Sequence, residues 1–458
     1  MVKKKDLNIR FLGAAGTVTG SKTLLSSENK HVLIDCGMFQ GLKPLRELNW
    51  AKFPFPPHKI NEIIITHAHL DHVGYLPVLV KHGFSGPIHC TFPTKDLTEI
   101  ILMDSAKIQE EDAERANKFH YAKHRPAKPL YSCEDVKKVL PLLVPHELNE
   151  WVIVNNFIKF RYRNAGHILG SATVDVQFDH RRLVFSGDLG RKKSLLLDPP
   201  TYYHHADYVV VESTYGNRKH PKTNPFLFFK REINETIRRK GIVLIPSFAL
   251  ERTQEILHIL ALLRENKEIP HVPVYLDSPM GIDVTDVFKK YPEWHHLSNN
   301  DIARIHNNVK MIEKPSDSEK IINDDEPKIV IAGSGMIEGG RILAYLKKYI
   351  TDSKSKLILV GFQAEGTRGR ALLEHAREIK FYGEYYPVKI KVRHINSMSA
   401  HADYTEIMNW LKHLKKPPKT VFINHGELPA AHALRVRIET KLGWNTQVPL
   451  MNSSFLVD

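Results

Sequence analysis

Short apolar runs that end in polar or glycine-rich turns recur through the first 210 or so residues of the chain. They predict strands at Asn8–Leu12, His31–Ile34, Glu62–Thr66, Phe157–Asn164 and Arg182–Phe185. The longer stretch Lys95–Phe119 carries apolar residues at helical spacing, so it predicts a helix. Short strands with interleaved helices favour two sheets packed face to face with helices outside.

From about residue 217 the pattern changes to strands that alternate with amphipathic helices. It predicts strands at Ile242–Pro246, Val274–Leu276, Ile329–Ala332 and Leu357–Val360, and helices at Glu251–Arg264 and Arg341–Ile350. This alternation is typical of a doubly wound parallel sheet. Strand-like alternation returns around 381–395, so we interpret the second pattern as an insertion. The predicted division is 1–215 and 386–458 for one domain and 216–385 for the inserted one.

Residues 67–72 read His-Ala-His-Leu-Asp-His and follow the apolar run at 63–65. In extended chain His67 and His69 point to the same side, so both can reach one metal ion. Asp71 and His72 come where the chain is expected to bend into a helix, and can face a second ion. Imidazole and carboxylate are ligands that suit zinc in a hydrolytic centre. The alternative is a histidine-rich surface loop in a chain with 26 histidines.

Four further predicted strands end in a turn that carries Asp35, His167, Asp188 or His425. Taken singly, each is explained as a turn or capping residue. Together with 67–72 they supply ligands for two zinc ions with an aspartate between them. The first set is His67, His69 and His167; the second is Asp71, His72 and His425; Asp188 lies between them. Asp35 is expected to orient a ligand histidine.

The balance of charge adds a partner class to this picture. Lys and Arg number 65 against 51 Asp and Glu, which gives a net charge of +14 and favours polyanionic partners, above all nucleic acid. Three cysteines without a Cys-x-x-Cys pair argue against disulfides and thiolate zinc, so a reducing cytoplasm is expected. The basic opening at residues 1–5 is followed by no apolar signal-peptide region, and no apolar run is long enough to span a membrane.

The combined set resembles the metallo-β-lactamase superfamily and, through later motifs, its β-CASP nucleases. Relatives include the endonuclease subunit that cleaves pre-mRNA before polyadenylation. The zinc motifs match at Asp35, 67–72, His167 and Asp188, and the later motifs match at Glu212 of Val-Glu-Ser-Thr-Tyr-Gly, His401 of Ser-Ala-His-Ala-Asp and His425 of Asn-His-Gly. The resemblance implies an αββα sandwich with an inserted doubly wound β-CASP domain. It also implies that His401 is the proton donor and that Glu212 orients it.

Loops after the predicted strands of the insertion are expected to hold a phosphate backbone. Glycine-rich turns at helix N-termini offer backbone N–H groups, and arginine adds paired donors. The expected contacts are Ser247, Arg252, Ser334, Gly335, Arg341, Gln363, Thr367, Arg368 and, beside the His401 motif, Ser399. A dinucleotide site at Gly333 and Gly335 is disfavoured because the third glycine is Gly339, one position late for the fingerprint.

The leading hypothesis is a zinc-dependent ribonuclease that hydrolyses phosphodiester bonds of single-stranded RNA, as an endonuclease, an exonuclease or both. Hydroxide activated by two zinc ions would attack phosphorus, Asp71 would orient that water, and His401 would protonate the leaving oxygen. The alternatives are a metallo-hydrolase of a small molecule or ester, a DNA-directed nuclease of the same family, and an inactive RNA-binding scaffold. The direction of digestion and the oligomeric state stay open, with a homodimer as one option.

Overall fold

The computed structural model describes residues 6–120 and 126–458, so the basic opening at 1–5 lies outside the described residues. The strands are β1 (Leu7–Phe11), β2 (Thr23–Ser27), β3 (Lys30–Ile34), β4 (Glu62–Ile64), β5 (Ile88–Thr91), β6 (Leu143–His146), β7 (Val152–Ile153), β8 (Ile158–Asn164), β9 (Ala172–Phe178), β10 (Arg181–Phe185), β11 (Tyr208–Val211), β12 (Val243–Pro246), β13 (Val274–Asp277), β14 (Lys310–Met311), β15 (Ile329–Ala332), β16 (Lys356–Val360), β17 (Glu378–Phe381), β18 (Glu384–Pro387), β19 (Lys391–Ile395), β20 (Thr420–Ile423), β21 (Thr446–Gln447) and β22 (Ser454–Val457). The α-helices are α1 (Lys43–Glu47), α2 (Leu70–Val73), α3 (Leu76–Lys81), α4 (Phe92–Lys118), α5 (Cys133–Val139), α6 (Pro225–Arg238), α7 (Arg252–Glu265), α8 (Pro279–Lys290), α9 (Asn299–Asn308), α10 (Pro315–Asn323), α11 (Ile342–Tyr349), α12 (Arg368–Leu373), α13 (Tyr404–Leu411) and α14 (Leu428–Leu442).

The chain divides into two units, of which unit 1 comprises Met1–Lys219 and His401–Asp458. It contains two seven-stranded sheets. Sheet 1 has the order β22-β1-β2-β3-β4-β5-β6 and sheet 2 the order β21-β20-β11-β10-β9-β8-β7. One hydrophobic cluster joins the inner faces of both, with Phe11 and Ile34 from sheet 1 against Phe160 and Phe185 from sheet 2. The two sheets therefore form a sandwich with a shared apolar core.

Helices pack on the outer face of each sheet. Leu79 of α3, Leu102 of α4 and Val136 of α5 pack in one cluster with the outer side of sheet 1. Trp410 of α13 and Leu434 of α14 pack in another cluster with β10, β11 and β20 of sheet 2. The predicted αββα sandwich is confirmed, because the two sheets bury their inner faces on each other and helices pack on the outer face of each.

Unit 2 comprises His220–Ala400 and contains a six-stranded sheet of order β14-β13-β15-β12-β16-β19. Every pairing in this sheet is parallel, as the predicted doubly wound insertion requires. Strand β19 pairs with β16, so this sheet and its unit continue past residue 385. The strand-like alternation around 381–395 belongs to this sheet and to the β17–β18 hairpin.

The carboxyl ends of several strands of unit 1 lie at one edge of the sandwich. Strands β3 and β4 are parallel in sheet 1, and β10, β11 and β20 are parallel in sheet 2. Strand β8 runs in the same direction as β10, since both are antiparallel to β9. The turns that follow these strands carry the histidines and carboxylates singled out above. None of the helices in the described ranges is long and apolar enough to cross a membrane.

Candidate metal centre

The 67–72 segment leaves β4 in extended conformation and bends into a short helix, as its pattern predicts. His69 has extended backbone angles and is the N-cap of α2, which places Asp71 and His72 in the first helical turn. Gly37 packs on this turn so closely that an added Cβ would lie 1.5 Å from the carbonyl oxygen of Asp71. A side chain at position 37 would displace the segment that carries these side chains.

One group of ring nitrogens gathers around His69. Its Nδ1 lies 3.1 Å from Nε2 of His67 and 3.2 Å from Nε2 of His167. Asp188 Oδ2 lies 3.5 Å from Nε2 of both His67 and His167. These four side chains form the first cluster, and their facing atoms are close enough to share one metal ion.

The second cluster consists of Asp71, His72 and His425. Nε2 of His72 lies 3.1 Å from Nε2 of His425, and Asp71 Oδ2 lies 3.6 Å from that same His425 atom. Asp188 also reaches this cluster, because its Oδ1 lies 3.5 Å from Nε2 of His72. One carboxylate therefore presents a separate oxygen to each cluster.

The buried polar atoms of this centre fit a bound cation. Asp188 is 2% exposed, and its Oδ1 accepts no hydrogen bond within the described structure. A buried carboxylate oxygen without a donor is costly unless a positive charge compensates it. Ring nitrogens that face one another at 3.1–3.2 Å likewise need a proton or a metal ion between them, because their lone pairs would otherwise repel. The residues present therefore fit the metal that the sequence predicts.

Burial sets most of these groups in the protonation state that metal ligands need. It lowers the pKa of His67 and His167 well below the usual value and that of His69 to about 4, so the three imidazoles are neutral. Burial alone would raise the pKa of Asp71 and Asp188, but nearby histidines hold both below their usual range. Burial alone would lower the pKa of His72, but Asp188 and Asp35 outweigh it and raise this pKa. A cation at its Nε2 must therefore displace a proton.

Asp35 orients His72 from the side opposite the centre. Its Oδ2 lies 2.7 Å from Nδ1 of His72, and its Oδ1 accepts a 2.8 Å hydrogen bond from the backbone N–H of Thr66. Because Nδ1 holds its proton against Asp35, Nε2 is the atom that faces the second cluster and offers a lone pair once its own proton is displaced.

Asp35→Asn is expected to lower zinc affinity by roughly 10–100-fold, because the amide no longer stabilises the ligating tautomer of His72. Competition with a chromophoric chelator measures this change. Asp207→Asn is the matched control, since Asp207 precedes β11 and so lies at the opposite end of the strands. Unchanged zinc affinity in Asp35→Asn would show that His72 is oriented without it.

His401 and Glu212 form a pair beside the two clusters. Nδ1 of His401 lies 3.1 Å from Glu212 Oε1, and its ring centroid lies 4.5 Å from that of His167. Glu212 is 1% exposed and accepts hydrogen bonds from the backbone N–H groups of Leu189 and Thr214, at 2.7 and 3.3 Å. Burial lowers the pKa of His401, but Glu212 and then Asp188 outweigh it and raise it to about 9. The pair holds a protonated imidazole next to the centre.

The three arginines expected to bind phosphate in unit 2 are engaged within the protein. Arg252 forms a buried ion pair with Glu255 and donates to the carbonyl of Met398. Arg341 pairs with Asp277 and donates to the carbonyl of Ile312 at 2.9 Å.

Arg368 likewise donates to backbone carbonyls, those of Lys380, Ile337 and Glu338, at 2.8–3.2 Å. Their guanidinium groups hold loops of unit 2 together, so the structure gives all three arginines an internal role.

The smaller expected contacts also make local hydrogen bonds. Ser334 Oγ accepts from the N–H of Glu338, Thr367 Oγ1 caps α12, and Gln363 Nε2 donates to the carbonyl of Gly335. Ser247 Oγ donates to the carbonyl of Phe248, and Ser399 is buried. These bonds build turns after the parallel strands, and RNA contact by these residues stays a prediction.

A row of cations on sheet 2 was not among the expected functional residues. Lys159, Arg161 and Arg163 alternate with core residues along β8, and Arg182 lies on β10. The available signal in the sequence was a basic residue at every second position of a predicted strand. The row of cations becomes apparent only when the apolar residues between these basic residues are assigned to the core.

Comparison with known proteins identifies related sequences along the whole chain. Residues 16–225 match the metallo-beta-lactamase superfamily, residues 253–372 match the Beta-Casp domain, and residues 385–449 match the Zn-dependent metallo-hydrolase RNA specificity domain. Ribonuclease TTHA0252 of Thermus thermophilus is 36% identical over 91% of this chain and 92% of its own length.

Two archaeal proteins are also similar. Transcription termination factor FttA of Methanosarcina mazei is 32% identical over 97% of this chain and 71% of its own length. An RNase J-like protein of Methanocaldococcus jannaschii is 31% identical over 96% of this chain and 98% of its own length. A solved structure of a protein of unknown function from Enterococcus faecalis V583 aligns with a TM-score of 0.54 at 12% identity. It covers 99% of this chain and 100% of that one, and it supports the fold alone.

The sandwich, the inserted parallel sheet and the histidine clusters define a metal-dependent hydrolase of the metallo-β-lactamase type. Within that class, the chain belongs to the β-CASP ribonuclease family. The predicted family and the predicted enzyme class, a metal-dependent nuclease, are both confirmed. The His and Asp clusters are its candidate metal site.

Proposed function

We propose that this protein hydrolyses phosphodiester bonds of single-stranded RNA and that it uses two zinc ions. The observation that carries the proposal is the position of Asp188, whose two oxygens each face a different histidine cluster. Relatives that are named ribonucleases and the match to an RNA specificity domain support RNA as the substrate.

The proposed ligands follow the two clusters. His67, His69 and His167 would hold the first ion, Asp71, His72 and His425 would hold the second, and Asp188 would supply a ligand oxygen to each. Seven donors exceed what one tetrahedral zinc ion can use, which supports two ions. When bound, such a pair acidifies water and offsets the negative charge that builds up on the phosphate.

The side chains around the ions direct the reaction. Asp71 is the most exposed carboxylate of the clusters, with a side chain 20% exposed, and it accepts a hydrogen bond from the attacking water to orient it. His401 gives its proton to the leaving oxygen. Since Nδ1 of His401 bonds Glu212, the proton that it transfers is the one on Nε2. Glu212 fixes the ring and stabilises its protonated form.

Zinc analysis of the purified, zinc-replete protein is expected to find about two ions per chain.

End-labelled RNA and a DNA strand of the same sequence, each incubated with and without chelator, test the activity. We expect the RNA to be cut, cleavage to stop with chelator, and zinc to restore it. Labels at the 5′ and 3′ ends show from product length whether the cuts are internal or terminal.

Three outcomes would contradict parts of this proposal. One ion per chain would overturn the two-metal assignment. Preferential cleavage of the DNA strand would make this a DNA-directed nuclease of the family. Activity confined to small esters, with both strands intact, would favour a small-molecule hydrolase.

We also propose a cytoplasmic location. Cys36, Cys90 and Cys133 are all free thiols, and burial raises the pKa of Cys36 and Cys90 to about 12, so both are unreactive. Free thiols are typical of a reducing compartment.

A further inference from the structure

The outer face of sheet 2 carries a row of cations near its β7 edge. In β8, Ile158, Phe160 and Tyr162 enter the core between the sheets. Strand alternation therefore puts Lys159, Arg161 and Arg163 on the outer face. Antiparallel pairing places Arg161 opposite Asp175 of β9, and Arg182 of β10 bonds that same carboxylate. We call these four cations, Lys159, Arg161, Arg163 and Arg182, the basic track.

Nearby acids compensate only part of the positive charge of the basic track. Arg161 and Arg182 share the single carboxylate of Asp175, at 2.8 and 2.6 Å. In residues 6–120 and 126–458 no carboxylate lies within ion-pair distance of Lys159 or Arg163. The buried Nε of Arg163 also has no hydrogen-bond partner there. Asp207 is a second nearby acid, since it accepts the backbone N–H of Arg182 and interacts with its guanidinium. Four cations with two acids leave a surface of net positive charge, which attracts a polyanion.

Two aromatic rings hold these cations in place. Trp151 lies beneath Lys159 and Arg161, with its ring centroid 4.6 and 4.5 Å from their charged groups. Tyr203 supports Arg163 at 4.9 Å in the same way. Cation–π contact limits the freedom of these long side chains, so less entropy is lost when a ligand binds them. Trp151 is also 37% exposed, which leaves ring surface on which a base can stack.

The direction of the basic track points to its ligand. Alternate residues of a strand lie about 6.6 Å apart, which is close to the separation of successive phosphates in an extended single strand. The row ends at Arg163, and the turn that follows β8 carries His167 of the first cluster. A single-stranded nucleic acid bound along β8 is thus directed towards the metal centre.

We propose that the basic track binds the backbone of the single-stranded RNA substrate outside the catalytic centre, which rests on the ribonuclease activity proposed above. Lys159 and Arg163 contact phosphates, Arg161 and Arg182 add charge, and Trp151 stacks on a base. The contacts are to backbone and ring faces, so they hold RNA without reading its sequence. Long substrates gain affinity from the track and the shortest ones do not.

The test compares Lys159→Ala/Arg163→Ala with Lys30→Ala/Lys59→Ala. The second pair removes the same charge from exposed positions. Lys30 begins β3 and Lys59 precedes β4, so both lie at the ends of these strands that are away from the metal centre. Binding of oligouridylates of increasing length is measured in the His401→Ala background, so that cleavage is suppressed. We expect the track variant to bind the longest RNA roughly 10-fold more weakly and its salt slope to fall by about 1.4, for two phosphates. Binding of the shortest RNA and the control variant should not change.

Equal loss of RNA affinity in the track and control variants would show that only net charge matters and would overturn the proposal. No loss of affinity in either variant would also overturn it.

Photo-crosslinking of 4-thiouridine RNA to the wild-type protein gives a second readout, which does not depend on any variant folding. Crosslinks are expected on the peptide that spans residues 151–163, and their absence contradicts the track. If the wild type cleaves no RNA but the track variant still loses affinity, the proposed activity fails while the track stands. If RNA is cleaved and the track variant binds like the control, the track alone fails.

Discussion

Asp188→Asn is expected to reduce RNA cleavage by roughly 10³-fold or more, because the two metal positions then compete for one oxygen of a neutral side chain. In the structure each oxygen of Asp188 faces a different cluster, and Oδ1 has no hydrogen-bond donor. Zinc content should fall below about two per chain. Cleavage of labelled RNA and metal analysis on the same preparation measure both effects.

Asp207→Asn is the matched control for this variant. Asp207 accepts a backbone hydrogen bond from Arg182 at the start of β11, far along the strands from the centre. It should keep zinc and activity. Circular dichroism and thermal unfolding of zinc-loaded samples show whether Asp188→Asn is folded. A folded Asp188→Asn protein with full zinc and full activity would refute the bridging role.

His401→Ala is expected to lower turnover by ~10²–10⁴-fold while zinc content and RNA affinity stay unchanged. Nδ1 of His401 bonds Glu212, and the ring lies beside His167 without belonging to either cluster. If it protonates the leaving oxygen, the loss should shrink with a p-nitrophenyl phosphodiester, whose leaving group departs without a proton. Turnover of RNA and of this ester, compared in both proteins, separates proton transfer from positioning.

Two further variants sharpen this prediction. His432→Ala removes an exposed histidine of α14 and should leave turnover unchanged. Glu212→Gln should lower turnover, and combining it with His401→Ala should add little, because Glu212 acts through the imidazole. Loss of zinc in His401→Ala, or an equal loss on the ester and on RNA, would be evidence against the donor role.

The metal centre shows which predictions a sequence can support. His67, His69, Asp71 and His72 lie within six positions after an apolar strand, so local geometry alone brings them together. His167, Asp188 and His425 come from turns far apart in the chain. They could be predicted as well, because parallel strands of one sheet end at a common edge.

The expected phosphate contacts show what sequence reasoning leaves undetermined. Arg341 follows a glycine-rich turn after a buried strand, which is the pattern of an anion site. Nothing local reveals that Asp277, from another strand of the same sheet, neutralises its guanidinium. Arginine makes five donors available, and which acceptors they meet depends on neighbours that only folding supplies.

The sequence by itself determined the two sheets, the inserted parallel sheet and the candidate metal-binding residues, because periodicity and strand-end chemistry depend on neighbours in the chain. Only the tertiary structure decided how charge is distributed. It placed one oxygen of Asp188 at each cluster and gave Arg252, Arg341 and Arg368 partners within unit 2. It also set Lys159 and Arg163 on the outer face of sheet 2, where none of the described carboxylates lies within ion-pair distance of them. The physical reason is that compensation of a charge depends on distance in space, and distances between remote residues exist only once the strands have paired.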